Sequence, residues 1–242
     1  MTMLAALATA AALSLPPGAK IIEIERIPPS VRKDRALVLW MKDPKLHCDK
    51  YWRELYTCPD ATRGCYRSGP TRVSLVDTAT QRVINTIVIR DANDAPTTFM
   101  GHVTGEGHDS LDLPYRNRNG GPYRVVAGGR TKILTLKDYN GDGDATEFAL
   151  FDAWSCSDLL TTLIGYSRRR DRVIQYPLRL RWNDGETMKE VTSLWVEHLF
   201  SSKPERPGVW KYMSRYPGAT EIYKIRYVAA DEAFEGTCRI GD

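Results

Sequence analysis

The run Asp138-Tyr139-Asn140-Gly141-Asp142-Gly143-Asp144 concentrates hard oxygen donors at alternate positions. Side chains at its first, third and fifth places, Asp138, Asn140 and Asp142, can converge on one cation. The glycine at the sixth, Gly143, permits the sharp turn that aims backbone oxygen inward. Carboxylate, amide and carbonyl oxygens on a flexible loop suit calcium better than magnesium, because calcium accepts longer bonds and more ligands. The competing explanation is a polar hairpin turn, which Asn, Asp and Gly form readily without any metal.

The pattern D-x-N-x-D-G resembles the calcium loops of EF-hands, dockerins and the FG-GAP repeats of integrin-like propellers, over about a dozen residues. That resemblance implies ligand roles for Asp138, Asn140 and Asp142, with Asp144 or Glu147 completing the set around one structural ion. In a helix-flanked EF-hand the twelfth position is a bidentate Glu. Here it is Ala149, and strand-like sequence lies on both sides, which argues against a helical EF-hand. Glu147 can supply the missing carboxylate, as in secreted β proteins where D-x-N-x-D-G-x-x-x-E-F runs into a strand. One neutral ligand and no bidentate twelfth residue imply weak binding, on the order of 10⁻⁴ to 10⁻³ M.

Other reactive side chains are less well ordered in the sequence. His102, Glu106, His108 and Asp109 crowd the Gly-rich stretch 101–110 and could ligate a transition metal or act as acid and base, yet they match no recognised zinc pattern. Ser110 beside them lacks a G-x-S-x-G elbow, so no triad is expected. His47, Cys48, Cys58 and Cys65 offer a zinc set without a paired C-x-x-C. The densest basic run, Arg168 to Arg172 followed by Arg179 and Arg181, could meet phosphates or acidic glycans. A charged turn leading into a strand with an outward Arg face explains it as well.

The elements that must position these groups read as strands. Ile21 to Ile27 alternates apolar and charged residues and stops at Pro28-Pro29; Ala36 to Met41 is a short apolar run. Thr71 to Asp77 and Arg82 to Arg90, joined by Thr78-Ala79-Thr80-Gln81, form a hairpin pattern. Asp91 to Gly121 reads as a long surface loop. Further strands are expected at Tyr123 to Ala127, Thr131 to Leu136, Glu147 to Asp152, Leu159 to Tyr166, Val173 to Trp182, Val191 to Leu199, Trp210 to Tyr216 and Ile222 to Val228. Asp49 to Tyr56 could form a short helix, and Glu190 to Phe200 also fits a helical face. Short strands separated by turns point to a mainly β, antiparallel sandwich or barrel-like single domain over residues 19–242, with long loops and little helix.

The apolar run Met3 to Leu15, ending at Pro16-Pro17-Gly18, reads as a signal peptide over residues 1–18, although no Lys or Arg precedes it. Ala8 and Ala10 are the small residues a signal peptidase would need. Export makes disulfides the natural reading of Cys48, Cys58, Cys65, Cys156 and Cys238, with Cys58 and Cys65 flanking a turn-prone segment. A 42% hydrophobic content supplies a core, a net charge of +4 does not mark a specific nucleic-acid binder, and the apolar run is far shorter than the ~20 residues of a membrane span, with no other stretch close. The expectation is a secreted or periplasmic, non-catalytic, calcium-binding module meeting a protein or glycan surface. Its rivals are a hydrolase using the 91–121 loop and a carbohydrate-binding sandwich displaying some of the six tryptophans and twelve tyrosines.

Overall fold

The computed structural model describes residues 13–47, 66–90, 98–102, 124–125, 131–153, 159–181, 188–191, 203–216 and 219–241. It is mainly β, in open sheets with no closed barrel among the described residues. The first sheet contains β1 (Ala19–Arg26), β2 (Arg35–Lys42), β3 (Lys45–His47), β4 (Tyr66–Asp77), β5 (Arg82–Val88) and β6 (Thr98–His102). Strand β4 is its spine: the C-terminal half pairs with β2 and β5, the N-terminal half with β3 and β6. Strands β7 (Arg124–Val125) and β8 (Thr131–Lys132) form a small ladder. A short helix, α1 (Pro29–Arg32), caps the β1–β2 connection, its first turn set by the fixed φ of proline.

A second sheet has the order β11-β10-β9, from β9 (Glu147–Ala153), β10 (Leu159–Ser167) and β11 (Arg172–Gln175). The third runs β13-β12-β16-β15-β14, from β12 (Leu178–Arg181), β13 (Met188–Val191), β14 (Val209–Tyr216), β15 (Ala219–Val228) and β16 (Ala233–Gly241). Among the described residues the strand pairings are antiparallel except β12 with β16. Pro177, with no N–H to donate, splits the expected strand Val173 to Trp182 into β11 and β12.

Strand β2 is buried on both faces, which is why Ala36 to Met41 reads as an unbroken apolar run. Its inner side chains Leu37, Leu39 and Met41 join Val73, Leu75 and Ile89, and pack on Phe148, Leu150, Ile164 and Val173 of the second sheet. Each such burial stabilises the fold by roughly 1.5–3 kcal/mol. The outer face, Ala36, Val38, Trp40 and Val76, is covered by Leu13 and Leu15.

The sheets are also stitched together by polar groups. Asn85 donates to Val173 O at 2.9 Å and accepts from Val173 N at 3.0 Å, so its amide mimics one rung of a ladder between the β5 and β11 edges. Arg35, only 6% exposed, grips Asp171 with two parallel bonds of 3.0 and 2.7 Å and also reaches Asp34 and Asp77. The Arg35 guanidinium holds the Asp171 carboxyl below its ordinary range.

The expected long loop from Asp91 to Gly121 is partly a strand: β6 pairs along the N-terminal half of β4. β-prone Thr98, Phe99 and Met100 carry that signal, and the Gly and His residues that follow dilute it. Strand β13 ends where a strand from Val191 was expected to begin, and residues 192–202 lie outside the described residues. So does the candidate helix Asp49 to Tyr56. No helix among the described residues is long and apolar enough to cross a membrane.

Candidate metal centre

The acidic loop hangs from a two-bond backbone clasp: Lys137 N donates to Glu147 O at 2.7 Å and Glu147 N to Lys137 O at 3.1 Å. Between these residues the chain turns through a series of side-chain to backbone bonds. Gly141 N and Gly143 N donate to the two carboxylate oxygens of Asp138 at 2.7 and 2.9 Å. Asp142 N donates to Asn140 Oδ1 at 2.8 Å, and Asp144 N to Asp142 Oδ1 at 2.9 Å. Short Asx side chains favour this geometry: Asn140 and Asp142 each reach the amide two residues on, and Asp138 reaches those three and five residues on, so the first, third and fifth places bend the backbone as well as supply oxygen.

Two glycines in the loop have positive φ for different reasons. At Gly141 (φ +78°) an added Cβ would lie 2.2 Å from Gly208 N, so the turn at residues 205–209 can only approach because no side chain intervenes. Gly143 (φ +91°) faces open space; its requirement is conformational alone. The loop is further held by Tyr139, whose ring lies 6.0 Å from that of Trp210 and whose carbonyl accepts Trp210 Nε1–H at 3.4 Å.

Glu147 is the most unusual group in the site. Its side chain belongs to a residue with 0% exposure, and it accepts only from neutral donors. Tyr139 N and Asn140 N reach Oε2 at 3.0 and 3.4 Å; Thr146 Oγ1 and Asn140 Nδ2 reach Oε1 at 2.6 and 3.2 Å. Burial pushes its carboxyl up to about 8, against the pull of the Thr146 hydroxyl and the Tyr139 amide, and the Asp142 charge adds to the rise. No basic side chain among the described residues meets it. Asn140 Nδ2 also donates to Asp142 Oδ2 at 3.1 Å, so this one amide stands between two carboxylates.

The expected ligands therefore divide. Asn140, Asp142 and Glu147 are brought together through the Asn140 amide, whereas Asp138 spends both oxygens on the Gly141 and Gly143 amides and Asp144 is drawn to Arg168. Among the described residues no three His, Cys, Asp or Glu side chains group closely enough to hold a metal by themselves.

His102 sits in β6 opposite Arg67, while Glu106, His108, Asp109 and Ser110 lie outside the described residues. His47 is opposite Tyr66 in β3; Cys48, Cys58, Cys65 and Cys156 lie outside as well, so the Cys58–Cys65 bridge and the zinc set fall beyond the described residues. Cys238 is a buried free thiol in β16, its proton held more tightly because burial disfavours the thiolate. Sequence reasoning missed the partners that wrap the loop, Gly208 and Trp210, because contact across about 70 residues leaves no local pattern. Comparison with protein-family models, with curated proteins and with solved structures finds nothing that matches this chain.

Proposed function

We propose that this chain is an exported, non-catalytic β protein whose acidic loop binds one structural calcium ion. The observation that carries this reading is Glu147: a wholly buried carboxyl beside Asn140 and Asp142, with neutral donors and no basic side chain against it among the described residues. Ionising a carboxyl buried in this way is costly unless a cation compensates it. A divalent ion would supply that charge, and hard oxygen from Asp138, Asn140, Asp142 and Glu147 suits calcium, with Asp138 sharing its oxygens with the Gly141 and Gly143 amides and Asp144 joining only if it leaves Arg168. Loading would turn the Asn140 amide oxygen toward the ion, since the amide N–H now fills the space between the carboxylates.

The ion's role is to pin a connection. Through Gly141 and Tyr139 the loop abuts the 205–209 turn and Trp210, so an ordered loop fixes the junction of the second and third sheets. Support for export comes from the leader run and the cysteines; with Cys238 buried and free, the other four, Cys48, Cys58, Cys65 and Cys156, are left for pairing. Calorimetric titration in chelator-stripped buffer tests the calcium reading. Saturable heat with a dissociation constant on the order of 10⁻⁴ to 10⁻³ M is expected, and magnesium should bind more weakly. No heat with calcium would remove the site. Non-reducing mass spectrometry that finds all five thiols free would remove the disulfides and weaken the export reading.

A further inference from the structure

The outer face of the third sheet gathers positive charge from strands far apart in sequence. In β12, Arg179 lies opposite Glu235 and Arg181 opposite Thr237; in β15, Arg226 lies opposite Glu235 and Lys224 opposite Thr237. Alternation along each strand turns the buried Leu178, Leu180, Ile225 and Phe234 to the other face. The 205–209 turn folds over this surface, closed by Glu205 N donating to Val209 O and Val209 N to Arg206 O, both at 2.9 Å. Strands and turn together bound a cleft of about 430 Å³.

Charge inside the cleft is unbalanced. Its wall carries Arg179, Arg181, Arg206, Lys224 and Arg226 against Glu205 and Glu235. Glu235 is shared, 3.7 Å from Arg179 and 3.6 Å from Arg226, and Arg179 also meets Asp231 at 2.8 Å. Arg181, Arg206 and Lys224 have no acidic partner among the described residues. Next to the cleft, Lys211 stands directly opposite Lys224 in the ladder, a like-charge pair that destabilises a sheet. A concave, low-dielectric wall focuses such a field and raises the local concentration of anions.

We propose that this cleft binds the sulfate or phosphate esters of an acidic oligosaccharide. Guanidinium forks match the oxygens of a tetrahedral oxyanion. Glu205, Glu235 and the Thr237 hydroxyl add acceptors for sugar hydroxyls. The volume is that of a small-ligand pocket, for which roughly 300–1,000 Å³ is usual. A nucleic-acid strand fits less well: the aromatic residue in the wall, Trp210, is 3% exposed and offers bases no stacking platform, and the two carboxylates would oppose a continuous phosphate backbone.

The test is calorimetry with a heparin-derived tetrasaccharide, its fully desulfated form, a sugar bisphosphate and a single-stranded oligonucleotide of equal charge. The wild-type protein should bind the sulfated or the phosphorylated sugar saturably, the tighter of the two naming the ester, and should ignore the desulfated form. Arg181→Gln, Arg206→Gln and Lys224→Gln should each weaken binding about tenfold. Arg82→Gln, exposed at the start of β5 in the first sheet, should leave it unchanged, with equal melting temperatures showing that all variants fold. Failure of both charged sugars to bind overturns the proposal. So does equal affinity in the cleft variants, or binding of the oligonucleotide at least as tight.

Discussion

The acidic loop and the basic cleft lie on two sides of one turn and are built in opposite ways. Gly208 in that turn presses its backbone on Asn140, where an added Cβ would meet Asn140 O at 2.3 Å, while Arg206 of the same turn walls the cleft. The loop is contiguous and closed at its base by one backbone clasp; its key group is a carboxyl removed from water. The cleft draws cations from strands β12 and β15 and from the turn, and leaves them in water. Desolvation therefore dominates the energetics of the first, and solvent-screened Coulomb forces those of the second. Core-like changes in the loop should cost stability; charge changes in the cleft should alter binding and leave the fold alone.

The sharpest way to break that contrast is Gly141→Ala. Its Cβ would meet backbone at 2.2 Å, so the loop must part from the 205–209 turn, and we expect a loss of about 3 kcal/mol or more by urea denaturation. Gly143→Ala, at positive φ but facing open space, should cost only about 1 kcal/mol. If the two losses are equal, close packing against the turn is not what shapes the loop.

Glu147→Gln sharpens the desolvation side. The folded carboxyl titrates at about 8 rather than at its ordinary 4.5, so folding favours its protonated form. That contribution is complete below the unfolded value and is lost as pH rises toward and through the folded one. Metal-free stability of the wild type should thus fall by up to about 1.4 kcal/mol per pH unit between those values, relative to Glu147→Gln, which should be the more stable protein at pH 8. Parallel pH profiles for the two proteins would contradict the burial argument.

Smaller effects bound the comparison. Trp210→Phe removes the N–H that meets Tyr139 O and should cost about 1 kcal/mol. Asp144→Asn breaks an exposed pair with Arg168, whose side chain is 60% accessible, and should cost no more than about 0.5 kcal/mol by thermal melting.

The same contrast explains what could be read from the sequence. The loop's turn chemistry is local: Asx residues at alternate places and a glycine at the sixth specify the bend whatever surrounds it. Strands such as β2, β5, β9 and β10 announce themselves through β-branched and apolar runs. Strand β16 does not, because Gly236 and charged Glu235 and Arg239 interrupt its pattern, yet it is central to the third sheet. The cleft was illegible for a related reason: Arg179 and Arg181 were visible as a basic stretch, but Arg206 and Lys224 join them only through the parallel β12–β16 pairing and the folded-back turn. Burial of Glu147 likewise depends on Tyr139, Thr146 and the close approach of Gly165 across the β9–β10 ladder.

The most direct test of the central claim is thermal unfolding in chelator-stripped buffer with and without about 10 mM calcium, for wild type and Glu147→Gln. With calcium near ten times its dissociation constant, the wild-type melting temperature should rise by roughly 3–5 °C, and the variant's should not move. Superimposable wild-type melts in the two buffers would contradict the account.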